Sequence, residues 1–235
     1  MASNKGRRLV ASIIVLVGAI LLIVALLTPW YMTKVSNAYA TETQTFYPGI
    51  PTDNGTIQYS CSGHITCTSQ TSYSKLNYNN TGAIAEAGFF MLLLGAVLGI
   101  IAVIFGAMSR GNARRVRPAI ALAVIALILA LAAPSIYAVV LPGAVGKDIP
   151  SAARPPTSSG PWSAFMGSSS YTAPIIGSTS LSWGPTTGWY MAFAAFAVLL
   201  IGVILLIAFR KDPPEPFPAS VPAPTAAPAQ TTPPS

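Results

Sequence analysis

The chain has 235 residues, 52% of them hydrophobic and only 8% charged, with a formal net charge of +7. So few charges cannot coat an ordinary soluble domain, and the composition is that of a membrane protein. The positive balance does not point to nucleic acid, because it gathers at the ends of apolar segments rather than in one basic patch.

Residues 1–8 form a basic N-terminus carrying Lys5, Arg7 and Arg8. The first of four apolar stretches follows, Leu9–Trp30; the others are Ala83–Met108, Pro118–Leu141 and Gly188–Phe209. Each has the roughly 20 apolar residues that a helix rising ~1.5 Å per residue needs to cross a bilayer. Ala38-Tyr39-Ala40 has the small-x-small form of a signal cleavage site. The apolar run before it exceeds the ~7–15 residues of a signal core and stops well short of the site, so the first stretch is expected to be an uncleaved anchor.

Basic residues fix the expected orientation. Nine of the thirteen lie on one side: Lys5, Arg7, Arg8, then Arg110, Arg114, Arg115 and Arg117, then Arg210 and Lys211. Short basic flanks stay in the cytoplasm. Both termini and the inner loop 109–117 are therefore expected inside the cell (plasma) membrane, with the outer loops 31–82 and 142–187 outside. Pro29 and Pro134 are expected to end or kink their helices near the outer surface. Trp30, Tyr31, Tyr137, Trp189 and Tyr190 read as an interfacial aromatic belt.

The first outer loop carries two short expected strands, Thr56–Cys61 and Ile65–Thr71, around Ser62-Gly63-His64. Cys61 and Cys67 are the only cysteines and flank that turn. In an oxidising compartment they are expected to form a disulfide. The alternative is a three-ligand metal site of Cys61, His64 and Cys67. Asn54 and Asn79 each begin an Asn-x-Thr glycosylation triplet. In the second outer loop, residues 173–183 are expected to add a strand pair.

The spans carry small residues in rows: Gly95 and Gly99 as Gly-x-x-x-Gly in the second, and Ala123, Ala126 and Ala130 in the third. Such rows let helix backbones approach closely where no hydrophobic drive between helices exists. Glu86 is the only ionisable residue inside any stretch. Ion and proton pathways use buried charge, so its scarcity argues against them. Ala25-Leu26-x-x-Pro29 matches Ala130-Leu131-x-x-Pro134, a hint of duplication. From Asp212 onward the 24-residue tail holds nine prolines and is expected to be a disordered cytoplasmic segment.

The expected fold is an all-α membrane protein: a bundle of four transmembrane helices with a small β-containing extracellular portion. No His-Glu-x-x-His, phosphate-cradling loop or nucleophile elbow is present. The expected function is non-enzymatic and cofactor-free: a scaffold, an adhesion protein or an accessory subunit of a cell-envelope assembly. Its partners would be the lipid bilayer and either itself or another membrane protein. A small transporter or channel with an uncharged pathway is the alternative.

The layout resembles the claudin and peripheral-myelin-protein superfamily of tetraspans. The shared features are inside termini, a short basic inner loop, a larger first outer loop with a cysteine pair, and Trp30 at the outer end of the first helix. The resemblance implies a four-helix bundle with a small extracellular sheet used in adhesion or assembly. It covers the spans and first outer loop; the family's Gly-Leu-Trp-x-x-Cys motif is absent, and Cys61 and Cys67 lie closer than the family's pair.

Overall fold

A computed structural model of the chain describes residues 4–48, 56–63, 67–108, 116–157, 159–174 and 177–209. The Pro-rich tail, Arg110, Arg114 and Arg115, Asn54 and His64 lie outside the described residues. Four long helices dominate: α1 (Asn4–Leu27), α2 (Asn79–Met108), α3 (Val116–Asp148) and α4 (Thr187–Ala208). All four are long and apolar enough to cross a membrane. Six strands fill the segments between α1 and α2 and between α3 and α4. They are β1 (Tyr31–Ser36), β2 (Ala40–Phe46), β3 (Thr56–Gly63), β4 (Cys67–Ser72), β5 (Gly167–Ala173) and β6 (Gly177–Pro185).

The helices run alternately up and down, each packed chiefly on two neighbours: α1 on α2 and α4, α3 on α2 and α4. Their buried faces are built from small residues. On α2 these are Gly88, Gly95, Ala96, Gly99 and Ala102; on α3, Ala119, Ala123, Ala126, Ala130 and Ala133. A methyl group at Gly99 would sit 3.1 Å from Ala19 Cβ, and one at Gly95 would sit 3.3 Å from Leu22 Cδ1 and 3.5 Å from the Ala126 carbonyl oxygen. Many large apolar side chains point the other way: Ile13, Ile128, Val139, Ile201 and Ile204 are exposed, whereas Leu22, Leu92, Leu199 and Leu206 are buried with the small residues. An interior rich in small residues under a largely apolar outer surface is unlike a water-soluble bundle and suits helices that pack by close backbone approach.

The strands from the two connections join one antiparallel sheet, ordered β4-β3-β2-β1-β6-β5. β1 is the seam, pairing with β2 on one side and β6 on the other. Its alternation sets the faces: Tyr31 and Thr33 are buried, Lys34 is exposed. Gly63 closes β3 at φ +119°, with Tyr39 and Ala40 backbone where a side chain would stand, so only glycine fits.

Several expectations change. The sequence indicates the β3–β4 pair but not β1 and β2, and the strand pair expected within 173–183 lies earlier, because β5 runs Gly167–Ala173 and only β6 falls mostly in that range. α3 does not stop at Leu141 but continues to Asp148, through both Pro134 and Pro142. At ~1.5 Å per residue its 33 residues reach past a ~30 Å hydrocarbon core, and the extra turns support the sheet. The aromatic belt is corrected in part. Trp30, Tyr31 and Tyr137 are at most 2% exposed and belong to the protein core, whereas Tyr190 is 56% exposed.

Replacing Gly95 and Gly99 together with Leu should overpack the α1–α2–α3 contact and cost about 1–3 kcal/mol per site. Val139→Leu, at an 80% exposed position, should change little. Thermal unfolding of the purified protein in detergent compares them; equal melting temperatures would contradict this packing.

Candidate functional site

The junction between sheet and bundle concentrates the polar chemistry of the described residues. It is built on Trp30, three residues beyond the end of α1. The indole is fully buried and donates from Nε1 to the Ala25 carbonyl at 2.8 Å. Its ring meets Tyr137 of α3 edge-on at 5.1 Å between centroids. Gly88 of α2 and Gly188 of α4 lie against the same ring, and a methyl group at Gly188 would stand 2.6 Å from Trp30 Cδ1. The Trp30 backbone N–H donates to Phe46 at 2.9 Å, and its carbonyl accepts from Thr186 at 3.0 Å.

Two interhelical latches flank this residue. Gly188, in the first turn of α4, donates its N–H to the Pro29 carbonyl at 2.8 Å. Asp148, the last residue of α3, caps the start of α2. Its Oδ1 accepts from the Asn80 backbone at 3.1 Å and the Asn80 amide at 2.7 Å, and its Oδ2 accepts from the Thr81 backbone at 2.7 Å. A carboxylate is favoured at a helix N-terminus, where backbone N–H groups lack partners and the dipole is positive. Arg154 plays the converse part at the end of α3. Its Nε donates to the Ile149 carbonyl at 3.0 Å, its Nη2 donates to the Gly146 carbonyl, and its guanidinium lies 5.5 Å from the Trp162 ring centroid. At the opposite end of the bundle, buried Arg8 donates from Nε to the Phe209 carbonyl at 2.8 Å, tying α1 to the C-terminus of α4.

Between the sheet and the ends of α2 and α3 lies a cavity of about 170 Å³. Tyr31, Thr33, Gln44, Phe46 and Leu181 contribute the sheet side. Tyr78, Thr81, Val145 and Asp148 contribute the helix side, and Pro155, Pro161 and Trp162 a third wall. The Tyr31 and Thr81 hydroxyls are buried without a hydrogen-bond partner. Burial, and then neighbouring Tyr137, pushes the Tyr31 phenol far above its ordinary value, so it stays a neutral donor. Burial raises the Tyr78 phenol as well, with smaller contributions from the Asp148 and Glu42 carboxylates.

The opposite face of the sheet is a hydroxyl platform. The register places Thr68, Ser60, Thr43, Lys34, Ser182 and Ser168 in one row across all six strands. Each is exposed or half-exposed. The edge strands β4 and β5 contain no charged residue and no proline, the usual guards against further strand pairing.

Of the residues singled out by sequence, Cys61 and Cys67 stand opposite each other across β3–β4, with Cα atoms 4.8 Å apart and their sulfurs at disulfide distance. His64, the third member of the metal alternative, lies outside the described residues, as does Asn54. Asn79 is exposed at the first residue of α2, while Thr81 of its triplet is buried. Gly95, Gly99, Ala123, Ala126 and Ala130 are all in the bundle interior, away from the cavity. Glu86 is half-buried on α2 and does not line the cavity. Sequence reasoning missed Tyr31, Thr81, Asp148 and Trp162. The alternation Tyr31-Thr33-Val35 was the one local signal available. No protein-family model matches the chain, and no curated protein matches it.

Asp148→Ala should free three donors at the start of α2 and cost about 0.5–2 kcal/mol, as loss of a helix cap does. Amide exchange across residues 79–85 should accelerate, and unchanged exchange would contradict the cap. Mass spectrometry of non-reduced peptides should recover Cys61 and Cys67 linked to each other.

Proposed function

We propose that this is a non-enzymatic, multi-pass protein of the cell envelope whose outer sheet contacts a partner while the helices act as its scaffold. One observation carries the reading: strands from both connections merge into a single six-stranded sheet. That sheet is latched to the bundle and presents a hydroxyl face and two unguarded edges. A surface held this rigidly loses little entropy on binding. An edge strand without charge offers backbone hydrogen bonds to an added strand. The partner is a second copy or another envelope protein.

The exposed large apolar residues of the helices support placement in a bilayer. The basic flanks support cytoplasmic termini, with the sheet outside the plasma membrane. On that orientation Arg8 is both a positive-inside residue and the latch on Phe209. The layout shared with claudin-like tetraspans, a bundle carrying a small sheet, supports the same reading in outline.

Orientation is tested with single cysteines at Ser109 and Ser168 in a background with Cys61 and Cys67 replaced by Ser. An impermeant thiol reagent on intact cells should label Ser168→Cys only; labelling of Ser109→Cys would overturn the topology. Function is tested by placing a photo-crosslinking residue at Ser60 or Ser168 in native membranes. The expected result is a discrete crosslink to this chain or to one other membrane protein, and the crosslink from position 168 should be lost when Thr41–Lys75 is deleted. Solute flux through the purified protein in liposomes, abolished by Glu86→Gln, would overturn the scaffold reading in favour of transport.

A further inference from the structure

Lys34 and Glu42 are the only charged residues in the six strands, and strand alternation sends them to opposite faces of the sheet. Glu42 turns to the cavity side with its cross-strand partners Val35 and Cys61, and accepts from the Gln44 amide at 2.9 Å. Lys34 is exposed on the other, outer face, in the middle of β1. Its cross-strand neighbours there are Thr43 and Ser182. Two residues along the strands, the next row across the sheet is Ser62, Thr41, Ser36, Ser180 and Ser170. On the opposite side of Lys34, Gln58 and Gln70 stand as a cross-strand pair, and Tyr47 donates its hydroxyl to Gln58 Oε1 at 3.0 Å. Tyr47 therefore shares this face, four residues beyond Thr43, or about 13 Å at ~3.4 Å per residue.

We propose that this outer face binds an acidic polysaccharide, with an anionic group of the sugar chain on Lys34 and its hydroxyls on the surrounding Ser, Thr and Gln side chains. The sign follows from the sorting of charge: the strands place one cation and no acid on this face, so an anion is attracted and meets no repulsion there. Hydroxyl and amide side chains both donate and accept, and hydroxyls rotate to suit, which matches a partner whose own groups are hydroxyls. Such a contact is wet, and bridging waters serve nearly as well as direct bonds. An acidic peptide fits less well. Protein contacts are anchored by buried aromatic and Arg side chains, with Ser depleted, whereas Tyr31, Phe46 and Trp183 are buried on the other side of the sheet. The separation of Lys34 from Tyr47 calls for several linked sugars rather than one, with the Tyr47 ring at one end of the track. The strand edges stay open to the protein contact proposed above, so the two readings fail separately.

The test uses the full chain immobilised in detergent at low salt. The probes are hexagalacturonate, its methyl ester, which keeps the sugars and removes the charge, and hexaglutamate. Wild type should bind hexagalacturonate saturably and about two- to fivefold more tightly than the ester, the range of one exposed ion pair. That preference should shrink as salt is raised, because a surface pair is screened. Lys34→Gln should bring acid and ester to equal affinity. Lys75→Gln, at an exposed lysine outside the sheet, should leave the preference intact. Thr43 and Ser182 replaced together by Val, a residue suited to strands, should weaken acid and ester alike. Three results would each overturn the proposal. They are no saturable binding of hexagalacturonate to wild type, an unchanged preference for the acid in Lys34→Gln, or hexaglutamate bound as tightly as hexagalacturonate, which would assign the face to an acidic protein.

Discussion

One buried indole fixes the sheet to the bundle. Trp30 touches all four helices: α1 through Ala25, α2 through Gly88, α3 through Tyr137 and α4 through Gly188. Its backbone meanwhile hydrogen-bonds Phe46 and Thr186, on either side of the β1 seam. A tryptophan at this level in an apolar segment normally marks a membrane surface. Here its N–H finds a carbonyl one turn back, which removes the need for water and lets the whole ring be buried. The glycines opposite are the complement: any side chain at Gly188 would displace either the indole or the Pro29 and Thr28 carbonyls. The cavity, the latches and the hydroxyl platform all take their positions from this point.

The bundle below follows a different logic. Alanine and glycine line much of the interior together with a few leucines and valines such as Leu22, Leu92 and Leu199, while most of the isoleucines of the spans face outward. In water that arrangement would forfeit most of the hydrophobic gain. Surrounded by lipid, outward isoleucines cost nothing, and stability comes from backbones close enough for dispersion. The few polar links are correspondingly placed at helix ends, where unpaired backbone groups exist to be met. Asp148 serves a positive end, Arg8 and Arg154 negative ones.

What the sequence reveals follows from the range of each signal. The four helices are legible because about twenty consecutive apolar residues have one economical solution in a bilayer. The small-residue rows are legible because they are periodic along one helix, and the cysteine pair because it spans a short turn. The Asp148 cap is not, since its partners Asn80 and Thr81 lie 68 and 67 positions away. Arg8 reads as a solvated flank until the Phe209 carbonyl appears beside it. The matched segments ending in Pro29 and Pro134 show the limit most sharply. α1 stops at Leu27, before its proline, whereas α3 runs through its own and ends fourteen residues later at Asp148. The local letters are alike, and what the chain packs against decides. Tyr31 and Trp30 illustrate the same point, since an aromatic at a membrane border and one in a core carry identical sequence signals.

The seam between β1 and β6 pairs Tyr31 with Pro185 and Ser36 with Ser180, joining segments far apart in the sequence. During synthesis β1 to β4 can zip together as soon as Ser72 has emerged. The other side of β1 must wait until β6, ending at Pro185, has been made, because closing so long a loop gains no contact until its far end arrives. The nascent first half thus presents a bare strand in the middle of the future sheet, with a half-covered tryptophan beneath it. The β5–β6 hairpin of the same chain fills that place, but the hairpin of a neighbouring copy made on the same stretch of membrane has the same shape. A dimer that exchanged its C-terminal halves would be joined at this same seam.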